Sequence, residues 1–219
     1  MHDIEGLVDG YQRFYASRDN EETRLYRRLA EQGQSPRTMI VCCCDSRVDP
    51  SSIFDTSPGD LFVVRNVANL VPPFEPHGDY HGTSAALEFA VTGLRVESIV
   101  VMGHAHCGGV KAYLDGGYGQ TDDTGTEPGT GFIDRWMSLL NPAHTAILES
   151  GLDETKENHQ QQLEMDSIRC SLENLQTFPF IQDALSRNVL RLRGAYFSIF
   201  HSSLLGLDPE SDAFRPVAV

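Results

Sequence analysis

Two short apolar, β-branched segments in this chain are each followed by soft metal-ligating side chains, and this pairing limits the folds open to it. Residues 38–41 (Thr-Met-Ile-Val) precede Cys43, and residues 98–102 (Ser-Ile-Val-Val-Met) precede His104 and Cys107. Runs of this composition are typical of strands buried on both faces of a parallel sheet. Because open parallel sheets place their sites at the carboxyl ends of the strands, we expect the two clusters to meet there. The pattern favours an enzyme built around a metal ion.

Further segments extend this pattern into an α/β fold. Apolar runs predict strands at 38–43, 61–65 and 98–103, and a later strand is expected at 190–199, which includes Leu192 and Tyr196–Ile199. A helical pattern over 83–94 lies between the second and third strands, and strand–helix–strand spacing of this kind predicts right-handed parallel crossovers.

Helical periodicity also covers residues 5–32, and Gly33 and Pro36 end that segment. Its apolar stripe can pack on the core of the same chain or on a partner subunit. Further helices are expected at 132–140 and 158–176. The Gly-, Thr- and Asp-rich stretch 116–131 is expected to be a loop, and Pro209 and Pro216 predict an irregular tail.

Composition narrows the class of protein. The 219 residues carry a formal net charge of −14, which disfavours nucleic acid and anionic membranes as partners. No apolar run approaches the ~20 residues of a membrane span, and the N-terminus lacks the order of charges of a secretion signal. Five cysteines, three of them consecutive, do not suggest a disulfide framework. We therefore expect a cytoplasmic protein with reduced thiols.

Spacing selects the ligands. His104 and Cys107 lie three residues apart, so that a turn at the end of a strand can direct both at one ion, and Cys43 can join them from the neighbouring strand. Two thiolates and an imidazole are ligands that zinc accepts in tetrahedral geometry. His106 lacks the His-x-x-Cys spacing. Cys42 and Cys44 are expected to be buried free thiols on the opposite face of the strand from Cys43, and Cys170 is expected to be a packing residue in a helical segment.

Asp45 and Arg47 follow Cys43 at two-residue spacing. Asp45 can be a fourth zinc ligand or a base beside the metal, and Arg47 can hold it in a bidentate pair. If Arg47 draws Asp45 away from the metal, a water molecule can occupy the open position, where zinc lowers its pKa towards neutrality. Asp45 would then orient the resulting hydroxide towards an electrophile.

These residues resemble the β-class carbonic anhydrases. The similarity includes Cys43-x-Asp45-x-Arg47 and His104-x-x-Cys107-Gly108-Gly109, and it extends to three further segments. Those segments are Pro58–Asn69, His81–Ala90 and Arg193–Phe197.

The resemblance implies reversible hydration of carbon dioxide to bicarbonate and a proton, with one zinc ion per chain. It implies a parallel four-stranded sheet with an edge strand, flanked by helices, in a single domain 1–219 with an N-terminal helical arm (1–36) and a catalytic core (38–200). It also implies homodimers or homotetramers formed with the N-terminal helices. Cys43, His104 and Cys107 match the zinc ligands, Asp45 and Arg47 the catalytic pair, and Gly108 the position whose amide holds substrate. Asp45 can also ligate zinc in a closed form.

Two alternative functions and the identity of any proton carrier remain open from the sequence. The same chemistry could hydrolyse carbonyl sulfide or carbon disulfide. A structural or sensor zinc site is a second reading, although such a site would use four protein ligands and would not need Asp45 and Arg47. A proton carrier could be any of His77, His81 and His201, with His81 the best placed before the predicted helix.

Overall fold

The structure is a computed structural model that describes residues 4–18, 20–78, 81–117, 131–151 and 156–217. Most of the predicted 116–131 loop lies outside the described residues. Within the described ranges, no helix is both long and apolar enough to cross a bilayer.

The strands are β1 (Thr38–Cys43), β2 (Leu61–Asn66), β3 (Ser98–His104), β4 (Arg191–Ser198), β5 (Ser203–Asp208) and β6 (Ala213–Pro216). The helices are α1 (Ile4–Ser17), α2 (Asn20–Gln32), α3 (Pro50–Ile53), α4 (Gly82–Glu88), α5 (Gly108–Leu114), α6 (Phe132–Met137), α7 (Asn141–Ser150), α8 (Lys156–Leu175) and α9 (Pro179–Ser186).

The described strands form one sheet in the order β2-β1-β3-β4-β5-β6. β1 pairs in parallel with β2 and β3, and β3 pairs in parallel with β4, which confirms the predicted four parallel strands. The antiparallel edge contains two strands, β5 and β6, where a single strand was expected.

The prediction of an irregular tail was wrong. Pro216 is the last residue of β6 and pairs opposite Leu205. Proline is tolerated at this position because β6 is the outermost strand, so one side of its backbone needs no partner in the sheet.

The predicted 5–32 helix is two helices, α1 and α2. At the end of α1, the Ser17 hydroxyl donates to the carbonyl of Phe14, a local bond that competes with continuation of the helix. The predicted 83–94 helix is confirmed as α4, continued by a π-helical turn over Phe89–Leu94. Arg95 ends this segment with a left-handed backbone.

β1 is buried on both faces, which explains its unbroken apolar sequence. Met39 and Val41 pack in the main core with residues of α8 and α9. Ile40 and Cys42 lie in a smaller cluster on the opposite face of the sheet. Each fully buried aliphatic side chain of this kind stabilises the fold by about 1.5–3 kcal/mol. The packing holds the carboxyl ends of β1 and β3 side by side.

Candidate metal centre

Three predicted ligands meet at the carboxyl edge of the sheet. Cys43 ends β1, His104 ends β3, and Cys107 immediately precedes α5. Their ligand atoms all lie within 4.8 Å of one another, and the three residues are buried. Among the described residues, this is the one group of three histidine, cysteine or acidic side chains placed closely enough to hold a metal ion. The structure therefore brings together the set that the sequence spacing selected.

The donor set fits zinc. The Cys43 and Cys107 sulfurs are 3.9 Å apart, close to the ~3.8 Å expected between two thiolates on a tetrahedral zinc ion. His104 is 1% exposed, and its buried Nε2 has no hydrogen-bond partner within the described structure. Its Nδ1 lies 3.0 Å from the carbonyl of Ala105. With Nδ1–H donating there, the lone pair of Nε2 is directed at the metal position.

Backbone amides surround the two thiols. The N–H groups of Asp45 and Ala68 donate to Cys43, and those of Gly109 and Val110 donate to Cys107. The hydrogen bond from Cys107, the adjacent His104 side chain and these amides together lower the pKa of Cys43 to about 4, against the opposing effect of burial. The hydrogen bond with Cys43, burial and the negative charge of the Cys43 thiolate all raise the pKa of Cys107. A bound cation would release this second proton, because metal ligation requires the thiolate form.

A strained turn carries the amide that reaches Cys43. Ala68 and Asn69, in a single turn of 3₁₀ helix after β2, have positive φ angles of 62° and 52°. Left-handed backbone costs about 1–2 kcal/mol for a residue with a side chain. The turn is held by the Trp136 indole, which donates to the carbonyl of Val67 at 2.8 Å, and by a bond from the Asn69 side chain to Ser167. Such strain persists where surrounding contacts determine the backbone, as they do beside this site.

Asp45 lies next to the three ligands and is paired with Arg47. The Nε and the backbone N–H of Arg47 donate to Oδ1 of Asp45, each at 2.9 Å. Nη2 of Arg47 donates to Oδ2 of Asp45 at 2.7 Å. These bonds hold the pKa of Asp45 below its usual range, so the carboxylate is ionised. Oδ2 is 3.9 Å from Nε2 of His104. Nη2 of Arg47 also donates to the backbone carbonyl of His106, a residue with a positive φ of 55°.

The glycines after Cys107 have different surroundings. A Cβ atom on Gly109 would lie 3.0 Å from Cγ1 of Val67, so a larger residue there would fit only if the Val67 side chain moved slightly. A Cβ on Gly108 would meet no atom within 4 Å among the described residues. Gly108 is the first residue of α5, where the helix itself does not use the N–H. Gly108 therefore combines open space around its Cα with a backbone N–H that the helix does not use.

The remaining cysteines fall outside the ligand group. Cys42 is fully buried on the opposite face, as expected, and burial raises its pKa to about 12. Cys44 is exposed, so the prediction of a buried thiol was wrong for this residue. The reason is that β1 ends at Cys43, and the strand alternation does not extend to Cys44. Cys170 is partly buried and packs beside the core cluster of the site.

The candidate proton carriers differ in position. His77 and His201 are exposed on the surface. His81 lines a cavity of about 620 Å³ together with Cys44, Val67 and Trp136. Its role in proton transfer stays a prediction.

Glu164 is a site residue that the sequence reasoning missed. It is 2% exposed on α8, and its Oε1 accepts the N–H of Cys107 at 2.8 Å. Oε1 also accepts from Gln160, and Oε2 accepts from the phenol of Tyr196, both at 2.8 Å. A signal was present in the sequence: Glu164, Ser167 and Ser171 repeat at helical spacing on the face of α8 that packs inward, where apolar residues are expected.

Comparison with known proteins agrees with this geometry. A family model described as carbonic anhydrase matches residues 38–204. The chain is 34% identical over 194 residues to β carbonic anhydrase 3 of Arabidopsis thaliana, covering 89% of this chain and 72% of that protein.

Solved structures give the same result. The β-carbonic anhydrase CcaA superposes with a TM-score of 0.86 and 29% identity, over 99% of this chain and 92% of that one. A structure reported with two tetrameric β-carbonic anhydrases from Sordaria macrospora superposes with a TM-score of 0.76 and 26% identity, over 98% of each chain.

Proposed function

The chain belongs to the β-class carbonic anhydrase family, and from this premise we propose that it is a carbonate dehydratase. The reaction is the reversible hydration of carbon dioxide to bicarbonate and a proton. The observation that carries the proposal is the combination of three convergent ligands with an ionised carboxylate beside them. Oδ2 of Asp45 lies 3.9 Å from the histidine ligand, close to the ligand group but held by Arg47.

Zinc is the metal of this family, and Cys43, His104 and Cys107 are the residues that would hold it. When bound, zinc supplies Lewis-acid activation of water near neutral pH. The three buried side chains also exclude bulk water from the inner side of the site, which strengthens the electrostatic interactions there.

Asp45 and Arg47 would orient the reacting water. Three bonds from Arg47 fix the carboxylate, and the side chain of Asp45 is 15% exposed, so it faces the open side of the site. An ionised Oδ2 can accept a hydrogen bond from the attacking water and direct its lone pair towards carbon dioxide. We also propose that Asp45 can ligate the metal when its bonds to Arg47 are broken, which gives the closed form expected from the sequence.

Gly108 would contact the substrate. Its N–H belongs to the first turn of α5, and the absence of nearby atoms around its Cα leaves room for a small linear molecule. A backbone donor at this point could stabilise the negative charge that develops on a substrate oxygen as bicarbonate forms.

The test is stopped-flow hydration of carbon dioxide with a pH indicator, on protein assayed for zinc. We expect zinc-dependent turnover that falls by at least ~10²-fold in Asp45→Asn, with zinc retained, because the neutral amide loses the ion pair with Arg47 and replaces one acceptor oxygen by an N–H donor. Asp55→Asn is the matched control, since Asp55 is exposed and makes none of the site contacts described above. Wild-type turnover in Asp45→Asn would refute the role of the carboxylate. Turnover of carbonyl sulfide without turnover of carbon dioxide would replace the proposed substrate.

A second copy of the chain is the proposed partner. α1 has no buried residue in the single chain, and its apolar side chains are widely exposed, among them Ile4 (74%), Leu7 (74%), Tyr11 (60%) and Tyr15 (62%). An exposed apolar face of this extent marks an interaction surface. The Sordaria relatives described as tetrameric support a homo-oligomer, a dimer or tetramer. Light scattering coupled to size-exclusion chromatography measures this state directly.

The remaining assignments follow from the same observations. We propose a single domain 1–219 with an arm (1–36) and a core (38–200), and the pairing of β5 with β4 extends that core beyond residue 200. Five free cysteines support a reducing compartment, the cytoplasm. The formal charge of −14 disfavours nucleic acid as a partner.

A further inference from the structure

Arg65 connects β2 to the chain segment that carries the catalytic pair. Its Nε donates to the carbonyl of Cys43 at 3.0 Å. Nη2 of Arg65 donates to the carbonyls of Asp45 at 2.7 Å and Val48 at 2.9 Å, and Nη1 lies 3.3 Å from the carboxylate of Asp49. One guanidinium therefore contacts four acceptors within seven consecutive residues.

The segment from Cys44 to Asp49 contains no helix or strand, and its backbone makes a turn in which the N–H of Val48 donates to the carbonyl of Asp45 at 3.1 Å. It follows the end of β1 and precedes α3, and one strand-like bond, from the N–H of Cys44 to the carbonyl of Asn66, continues the ladder past β1. Asp49 is the N-cap of α3, where its Oδ1 accepts from the N–H of Ser52. Between these two anchors, Arg65 holds the backbone by its hydrogen bonds to main-chain carbonyls.

The contacts of Arg65 bracket Asp45 without touching its side chain. The carbonyls of Cys43 and Asp45 lie on the two sides of the peptide unit that links Cys44 to Asp45, so fixing both limits rotation of the backbone that carries the Asp45 carboxylate. The planar fork of an arginine suits several fixed acceptors, whereas the ammonium group of lysine is a single point of contact.

We propose that Arg65 is a positioning residue for the proposed hydration reaction, acting through the backbone of the Cys43–Asp49 segment on the ligand Cys43 and on the pair of Asp45 and Arg47. Arg65 belongs to β2, so the placement of this segment depends on the pairing of β2 with β1. The proposal rests on the proposed function for its kinetic readout, but its metal-binding readout is independent of turnover.

The experiment compares Arg65→Ala and Arg65→Lys with wild type. Zinc affinity is measured by chelator competition on the metal-free protein, and kcat/KM is measured on the zinc-loaded protein. We expect both to fall by about 10–100-fold in Arg65→Ala, the usual effect of removing a group that orients ligands from outside the coordination sphere. Arg65→Lys should lose most of the same activity while its thermal stability stays closer to that of wild type, because charge and aliphatic stem are kept.

Chemical rescue separates positioning from simple stability. The Arg65 side chain is 30% exposed, so low-millimolar guanidinium chloride can enter the space left in Arg65→Ala. We expect it to restore part of both readouts, whereas sodium chloride at equal ionic strength should restore neither. Arg37→Ala is the matched control, since Arg37 lies just before β1 and pairs with the exposed Glu97. It should leave both readouts unchanged.

Clear results would overturn the proposal. Arg65→Ala or Arg65→Lys that keeps wild-type zinc affinity and kcat/KM, with only a lower melting temperature, would make Arg65 a structural residue. Loss that guanidinium does not restore, together with wild-type behaviour of Arg65→Lys, would assign the effect to charge alone. If the wild type binds zinc without hydrating carbon dioxide, the proposed function fails, while the zinc-affinity comparison still decides the role of Arg65.

Discussion

The buried contact between Glu164 and Tyr196 provides the sharpest prediction about how the metal centre is supported. Both residues are 2% exposed, and the phenol donates to Oε2 at 2.8 Å. Burial, with the charge of Glu164 and the hydrogen bond to it, raises the pKa of Tyr196, so the phenol remains a donor at any working pH. A hydrogen bond to a charged group contributes about 1.5–3 kcal/mol.

Tyr196→Phe should therefore lower the free energy of unfolding by about 2 kcal/mol. Glu164→Gln should cost a similar amount, since it replaces a charged acceptor of three donors by an amide. In the Glu164→Gln background the phenol of Tyr196 no longer faces a charge, so Tyr196→Phe should cost less there, and we expect a coupling energy of about 1–2 kcal/mol. Glu164→Gln should also weaken zinc binding about 10–100-fold, because Glu164 holds the N–H of the ligand Cys107.

The assay is urea unfolding of the zinc-loaded protein at fixed protein concentration, followed by the fluorescence of the single tryptophan, Trp136. The matched control is Tyr113→Phe, another buried tyrosine, whose phenol donates to the neutral amide oxygen of Asn141. It should show no coupling to Glu164→Gln. The reasoning is refuted if Tyr196→Phe and Glu164→Gln are additive to within about 0.5 kcal/mol.

Two further predictions concern the glycines of the site and the pH dependence of stability. Gly103→Ala should cost about 1–3 kcal/mol of unfolding free energy in urea denaturation, because the new Cβ would lie 2.9 Å from Cδ1 of Ile168. Gly108→Ala should leave stability unchanged but lower kcat/KM, because its methyl group would occupy the open space beside the amide that is proposed to contact the substrate. An unstable Gly108→Ala would contradict the open space described there. Burial, with a smaller contribution from the charge of His159, lowers the pKa of His144 in the folded state, so the unfolded chain binds more protons and stability should fall as pH drops below about 6.5. His144→Gln should flatten this part of a plot of urea midpoint against pH, and an unchanged slope would exclude His144 as its source.

Local sequence patterns were enough to predict several elements of the fold and the ligand group. Continuous apolar runs predicted β1, β2 and β3, because strands buried on both faces need no polar alternation, whereas the four-stranded parallel sheet was implied by the family resemblance. The spacing of His104 and Cys107 selected two ligands, and strand-end placement added Cys43 from across the sheet. The exposure of Cys44 and the β6 strand around Pro216 were mispredicted, since strand ends and edge positions depend on neighbouring strands that a local pattern does not report.

The distant groups that support the site become apparent only in the folded chain. Glu164 reaches Cys107 from α8, and Arg65 reaches Cys43 from β2. A carboxylate in a helix and an arginine in a strand look like surface residues in sequence, because their burial depends on the donors and acceptors that the fold brings to them. The left-handed backbone at Ala68 follows the same rule: tertiary contacts hold a conformation that its own residue type disfavours. Local chemistry thus selected the ligands, and long-range packing determined how they are held.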